Sequence, residues 1–237
     1  MTTAPATTVQ KNVLIIGASR GLGLAIAENY LHRGARVVAT VRAGSHTKLH
    51  DLVSQSNGRL EIEPVDITVP EQVTELRTRL QGRTFDLLFV NAGVKNDDRE
   101  TIADVSTEEF VRVMVTNALS PLRVIETLQN LVQPNGTIGA MSSGQGSVAN
   151  NTNGGYEVYR ASKAALNTLM RSFAARHAAD GRTLLLMAPG WVKTDMGGPD
   201  AMFTIDESIP KLVNTIDAQH GKPGLQYLDF RGNTVPW

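Results

Sequence analysis

The residues best suited to act together are Tyr159 and Lys163, in the run Tyr159-Arg160-Ala161-Ser162-Lys163, with the pair Ser142-Ser143 upstream. The run lies in an apolar-periodic segment, Tyr156 to about His177, that reads as one helix. Residues four apart are separated by about one helical turn and share a face. A phenol with an ordinary pKa near ~10 exchanges protons poorly at neutral pH. An ammonium one turn away favours the phenolate and lowers that pKa. A serine hydroxyl brought close hydrogen-bonds a substrate oxygen. Together the three can move a proton on and off a carbonyl or alcohol oxygen. The same Tyr-x-x-x-Lys spacing is common on half-exposed helices, so the rest of the chain must decide. Tyr156 is the internal control, since Arg160 follows it at the same spacing. The small residues Ala161, Ser162, Ala164 and Ala165 suit close helix contact and favour Tyr159.

Such a group needs a scaffold. Val13-Leu14-Ile15-Ile16 is a continuous apolar run, as expected of a strand buried on both faces of a parallel sheet. It ends in Gly17-Ala18-Ser19-Arg20-Gly21-Leu22-Gly23, followed by a helical pattern to about Arg33. Strand, glycine turn and helix are the setting for phosphate binding: glycines let the backbone approach a pyrophosphate, and the helix N-terminus offers free N–H groups and a positive dipole. A glycine-rich turn can also be only a turn. The second strand, Arg36 to Arg42, ends without the acid that would hold a ribose 2′-hydroxyl. Arg42 there and Arg20 in the glycine turn would suit a 2′-phosphate, which favours NADP(H) over NAD(H); either arginine could instead be solvated surface.

Further on, residues 46–56 read as a helix and Leu60–Pro64 as a third strand, with Asp66 and Ile67 at its carboxyl end, where ligands bind in open parallel sheets. Residues 70–80 read as helix and 86–90 as a fourth strand running into Asn91-Ala92-Gly93, small enough to let a flat ring lie close. A long helix over 107–132 carries Asn117 near its middle. Asparagine competes with backbone bonds there, so a buried Asn117 could distort the helix, and an exposed one would be inert. Strands at 136–141, 183–188 and 225–228, a polar Gly144–Gly155 loop, a mobile flap over 193–205 and a helix over 206–218 complete the pattern. The alternation predicts one α/β domain over 11–237, a Rossmann-type doubly wound parallel sheet of about seven strands with helices on both faces. Residues 1–10 read as a disordered lead-in.

Composition narrows the class. The 23 basic and 23 acidic residues cancel, which argues against nucleic-acid or membrane surfaces. The chain has no cysteine, so disulfides and thiol nucleophiles are excluded. No secretory leader pattern and no apolar run near ~20 residues is present, so a soluble, cytoplasmic protein is expected. His46-x3-His50 with Asp51 is too common on exposed helices to indicate a metal site, and no metal is expected.

Taken in order, Gly17-x3-Gly21-x-Gly23, Asp66, Asn91-Ala92-Gly93, Asn117, Ser143, Tyr159-x3-Lys163 and Pro189-Gly190 resemble the short-chain dehydrogenase/reductase family across essentially the whole chain. The stretch Pro189 to Gly198 and the Pro236-Trp237 ending resemble the sniffer-like and C-factor-like carbonyl reductases. The resemblance implies an NADP-dependent carbonyl reductase in which Tyr159 is the acid/base. Lys163 would lower its pKa and hold the nicotinamide ribose, Ser143 would orient the substrate oxygen, and Asn117 would hold a water. Asp66 would sit by the adenine, and Val192 and Thr194 would hold the carboxamide. It also implies a homodimer or homotetramer built on the Tyr159 helix and the long helix before it. The interval from Ser143 to Tyr159 is longer than the family's usual one, the extra length lying in Asn150 to Gly155; Ser142 is the weaker candidate for Ser143's role. A hydrophobic carbonyl substrate is expected, with Val148, Trp191, Met196, Met202 and Phe203 as pocket wall, though Met202 and Phe203 could simply anchor the flap. The competing reading is an NADP-binding regulator of the C-factor type with incidental turnover.

Overall fold

The computed structural model describes residues 10–44 and 46–237, so the reading of a lead-in falls almost wholly outside the described residues. Among these, seven strands form one parallel sheet in the order β3-β2-β1-β4-β5-β6-β7. They are β1 (Asn12–Ile16), β2 (Arg36–Val41), β3 (Leu60–Pro64), β4 (Phe85–Val90), β5 (Val132–Met141), β6 (Thr183–Ala188) and β7 (Gly224–Asp229). The order reverses between β1 and β4. Connections leave those two strands on opposite sides of the sheet there, opening a crevice at the carboxyl ends.

Strand periodicity sorts the core into two layers. Leu14 and Ile16 point to one face with Leu88, Val90, Ile138 and Leu186. Val13 and Ile15 point to the other with Phe89, Leu185 and Met187. The first face is covered by α3 (Pro70–Arg79), α5 (Ser120–Leu128) and α6 (Glu157–Arg176), through Leu76, Ile125, Leu166, Met170 and Phe173. The second is covered by α1 (Gly21–His32) and α7 (Ile205–Gln219), through Ile26, Tyr30, Leu212 and Ile216. Both faces of each central strand are apolar, as a sheet sandwiched by helices requires.

Three departures from the sequence reading have local causes. The helix expected over 46–56 shrinks to α2 (Lys48–Asp51) and a separate 3₁₀ turn, Ser54–Ser56. Ser56 donates to the Val53 carbonyl at 2.7 Å, a local bond that competes with helix. The long helix is α4 (Thr107–Met114) and α5 joined by a π-helical turn, Val115–Leu119, with the buried Asn117 at its centre. The fifth strand begins earlier than expected, at Val132, which pairs with Phe85 before the register shifts. Among the described residues no helix is long and apolar enough to cross a membrane.

The joint between α1 and α7 is polar. Asp217 on α7 takes Lys11 Nζ at 2.6 Å, Arg33 Nη1 at 3.2 Å and the buried Tyr30 hydroxyl at 3.2 Å. Removing the carboxylate leaves all three donors short of a partner. Asp217→Ala should therefore destabilise the fold by about 1–3 kcal/mol, read as a lower urea midpoint at unchanged m; an unmoved midpoint would show the cluster to be solvated surface.

Candidate active site

A cleft of about 1050 Å³ runs across the carboxyl ends of β1, β2, β4, β5 and β6. One end is the glycine turn. Gly17 has φ 87°, and its N–H donates to Thr40 Oγ1 at 2.9 Å while Ala18 N–H donates to the Thr40 carbonyl at 2.8 Å. Asn91 Nδ2 donates to Gly17 O at 2.9 Å, tying the end of β4 to the turn. Gly23 lies behind the turn, outside the cleft lining. A Cβ there would sit 2.1 Å from Gly17 O and 2.6 Å from Asn91 Nδ2, so only glycine lets α1 start this close to β1. The first turn of α1 carries no acid and no side-chain cap, which leaves its N–H groups directed at the cleft.

Gly17, Ser19, Arg20, Gly21, Leu22, Arg42, Asp66, Ile67, Asn91, Ala92 and Gly93 all line this half. The Asp66 carboxylate is occupied by Thr68, accepting from its N–H at 2.9 Å and its hydroxyl at 2.6 Å, and so caps the turn after β3. Arg20 pairs with Asp195 at 2.7 Å across the cleft mouth, with both side chains largely exposed. Thr40 gave no signal in the sequence; a buried threonine at the end of an apolar strand is the cue that could have marked it.

The other half is built on α6. Ser143, Tyr159 and Lys163 line the cleft together; Asn117 is fully buried behind them. Lys163 is itself buried, and its Nζ donates to the Met141 carbonyl at 2.9 Å and lies 5.8 Å from the Tyr159 ring centre. Burial lowers the ammonium to about 8. Burial also pushes the Tyr159 phenol up to about 12, against a smaller lowering by a hydrogen bond from Ser143. Desolvation is the largest influence on both groups. Asn117 accepts from Val94 N–H at 2.8 Å, and donates to Val94 O at 2.7 Å and to Ser162 Oγ at 2.9 Å. It thus pins the segment after β4 to α6. Gly93 lies against this group, since a Cβ there would be 3.4 Å from both Asn117 Oδ1 and Lys163 Nζ.

The two serines separate. Ser142 is buried, and its hydroxyl donates to Asn167 Oδ1 at 2.6 Å. Ser143 Oγ accepts from Gln145 N–H at 3.1 Å and lies within hydrogen-bonding reach of the Tyr159 phenol. Pro189, Gly190, Trp191, Val192, Thr194 and Met196 line the same half. Val148, Met202 and Phe203 do not, which corrects the pocket wall. Val148 is 72% and Met202 70% exposed, off the cleft, and Phe203 stacks on Phe230 at 5.0 Å and packs against the α1–α7 core. The 193–205 segment is stitched to its base: Lys193 N–H donates to Phe203 O at 2.8 Å, Phe203 N–H to Trp191 O at 3.0 Å, and Trp191 Nε1 to Gly197 O at 2.8 Å. Lining residues missed by sequence reasoning include Lys95, Arg112, Gln145, Asn150 and Tyr156. Tyr156, set aside as a control, follows Gly154 and Gly155 as a third successive residue at positive φ, here 52°. Among the described residues no group of three metal-ligating side chains converges.

The model of the short chain dehydrogenases matches residues 11–202. The chain belongs to that family. A Burkholderia multivorans short-chain dehydrogenase/reductase solved with bound NADP is 56% identical, with a TM-score of 0.95 over 96% of this chain and all of that one. A Pseudomonas aeruginosa carbonyl reductase solved with NADP is 35% identical, with a TM-score of 0.89 over 96% of this chain and all of that one. The Myxococcus xanthus C-signal is 36% identical over 64% of this chain and 92% of its own length. In this member of the short-chain dehydrogenases the shared architecture carries an Asn-rich loop that ends in Tyr156.

Burial of Lys163 has a consequence for stability. Its pKa is about 8 in the fold against an ordinary 10.5, so between those values the unfolded chain holds the proton that the folded chain has lost. Wild-type stability should rise with pH across that window relative to Lys163→Met, and the difference should be flat below pH ~8. The raised Tyr159 acts with the opposite sign, and only above the ordinary phenol range. Thermal unfolding from pH 7 to 9.5 checks this; parallel curves for the two proteins would mean that Lys163 is hydrated.

Proposed function

We propose that the chain is an NADPH-dependent oxidoreductase that interconverts a carbonyl and an alcohol. The observation that supports this most directly is one cleft with Ser143, Tyr159 and Lys163 at one end and the glycine turn with Arg20 and Arg42 at the other. The residues fit NADP: no carboxylate closes β2, two guanidiniums line that end, and the uncapped α1 N-terminus suits a pyrophosphate. Gly17, Ser19, Gly21 and Leu22 would hold the phosphates, Asp66 and Ile67 would flank the adenine, and Pro189, Val192 and Thr194 would hold the carboxamide.

The bound cofactor supplies the hydride. The protein supplies position and a proton. Tyr159, a phenol that burial raises further above its ordinary range, enters reduction protonated, as the acid. Its proton passes to the carbonyl oxygen as charge grows there, and Ser143 donates a hydrogen bond to the same oxygen. Lys163, about 8 in the fold, is largely charged at pH 7 and stabilises the phenolate left behind. Asn117 keeps the Val94 backbone and α6 in register, so that this wall does not drift. In alcohol oxidation the same groups run in reverse.

The substrate end has the exposed aromatics Tyr156 and Trp191 with Met196, which favours bulky hydrophobic carbonyls over small polar ones. NADPH oxidation across small aldehydes, aryl ketones, quinones and steroids tests the reading directly; no turnover with any of them would remove it. Tyr159→Phe keeps the ring and loses the proton, so kcat should fall by ~10²-fold or more while NADPH still binds. Arg42→Ala should weaken NADPH binding far more than NADH binding; equal loss, or a wild-type preference for NADH, would overturn the cofactor assignment.

A further inference from the structure

The loop that carries Ser143 is held from behind by groups outside the cleft lining. Tyr227, on the edge strand β7, is almost fully buried, and its hydroxyl donates to the Ser143 carbonyl. That carbonyl also accepts from Gly146 N–H at 2.9 Å. Asn167, one turn beyond Lys163 on α6, donates to Gly146 O at 3.2 Å. Ala149 N–H donates to the Trp237 carbonyl at 2.9 Å. The Trp237 ring packs on the Tyr227 ring at 5.3 Å, and the Arg171 guanidinium lies over Trp237 at 4.5 Å.

We infer that Tyr227 is a positioning residue for Ser143, locking the Ser143–Gly144 peptide so that the serine hydroxyl faces the substrate oxygen. The inference rests on the oxidoreductase reading for its catalytic consequence, but not for its geometry. Any buried tyrosine hydroxyl needs an acceptor. This one reaches across β6 and takes the carbonyl of the residue that carries the candidate substrate-orienting hydroxyl. Ser143 is the extended residue (φ −159°, ψ 148°) where β5 gives way to the 3₁₀ turn Gly144–Gly146. Fixing its carbonyl fixes ψ, and with it where the Cα–Cβ bond can aim. Burial keeps the Tyr227 phenol neutral, so it remains a donor. The hydroxyls of Ser142 and Tyr227 and the Asn167 amide form a buried polar group under the loop, in which each member limits the motion of the others.

The test is Tyr227→Phe, which retains the ring that packs on Trp237. Three measurements are made on the NADPH-bound protein, with thermal unfolding as the check that the variant is folded. The Gly144 amide resonance reports the hydrogen bond to the preceding carbonyl and should shift. In carbonyl reduction kcat should fall about tenfold, the cost expected for a lost, oriented hydrogen bond, while NADPH affinity stays within about twofold. In a Ser143→Ala background the same change should cost nothing further, because its effect passes through Ser143. A merely structural tyrosine would lower stability and add its loss in both backgrounds, which overturns the inference, as does an unmoved Gly144 amide. If the wild type turns over no carbonyl, the oxidoreductase reading fails, and the Gly144 resonance alone decides whether the clamp exists.

Discussion

The buried bond from Lys163 Nζ to the Met141 carbonyl is the constraint on which the candidate site depends. A charged amine removed from water is costly unless its donors are used. That cost fixes α6 against the end of β5 with little freedom to slide. The residues one turn to either side on the same face inherit their positions from it. Tyr159 is carried to the cleft wall, and Asn167 is carried under the serine loop, where it bonds Ser142 and Gly146. Leu166, Met170 and Phe173 complete that face and bury it on the sheet. Ser162, next to Lys163, accepts from Asn117 at the centre of the π-turn. A π-turn forfeits regular hydrogen bonds, and such turns gather at functional sites; here it lets one asparagine satisfy both backbone groups of Val94 and still reach α6.

The two halves of the cleft are electrostatically different. The glycine-turn half relies on the guanidiniums of Arg20 and Arg42, both exposed to solvent. The α6 half relies on buried groups whose protonation is set by the dryness of the site. A phenol held near 12 and an amine held near 8 are each displaced toward their neutral forms. Arg20 links the halves through Asp195, so the turn and the 193–198 segment share a charge pair over the mouth.

Much of the frame was legible because parallel strands announce themselves. Apolar runs such as Val13–Ile16 and Leu184–Met187 are too short for a helix and too apolar for a surface loop, which leaves a strand buried on both faces. The residues placed by spacing, Ser143, Tyr159 and Lys163, meet in the cleft because each is at a strand end or on a helix whose phase the sequence states. What was not legible depends on contacts between distant segments. Nothing local says that Phe203 turns to Phe230 and leaves the cleft, or that Tyr227 reaches the Ser143 carbonyl. The desolvation of Tyr159 and Lys163 was missed for the same reason: spacing gives their separation, but only the packed structure gives their dielectric surroundings.

Tyr156 shows how the least patterned part of the chain can shape the substrate end. Gly154 and Gly155 take positive φ without penalty, but for Tyr156 the same conformation costs about 1–2 kcal/mol. The structure holds it there by local bonds: Arg160 N–H to the Tyr156 carbonyl and Arg160 Nε to the Gly155 carbonyl, both at 2.8 Å. Glu157 next to it accepts from Ile102 N–H at 2.6 Å, which joins the loop after β4 to the start of α6. A strained residue held by this many neighbours is directed, not loose. It lines the cleft about one turn before Tyr159, at the end of the lengthened loop. Tyr156 and Tyr159 thus line the cleft from adjacent turns of one helix, with the inner turn fixed by burial and the outer one by the loop that precedes it. The helix register at Lys163 is set from the Met141 side, independently of the loop before Tyr156.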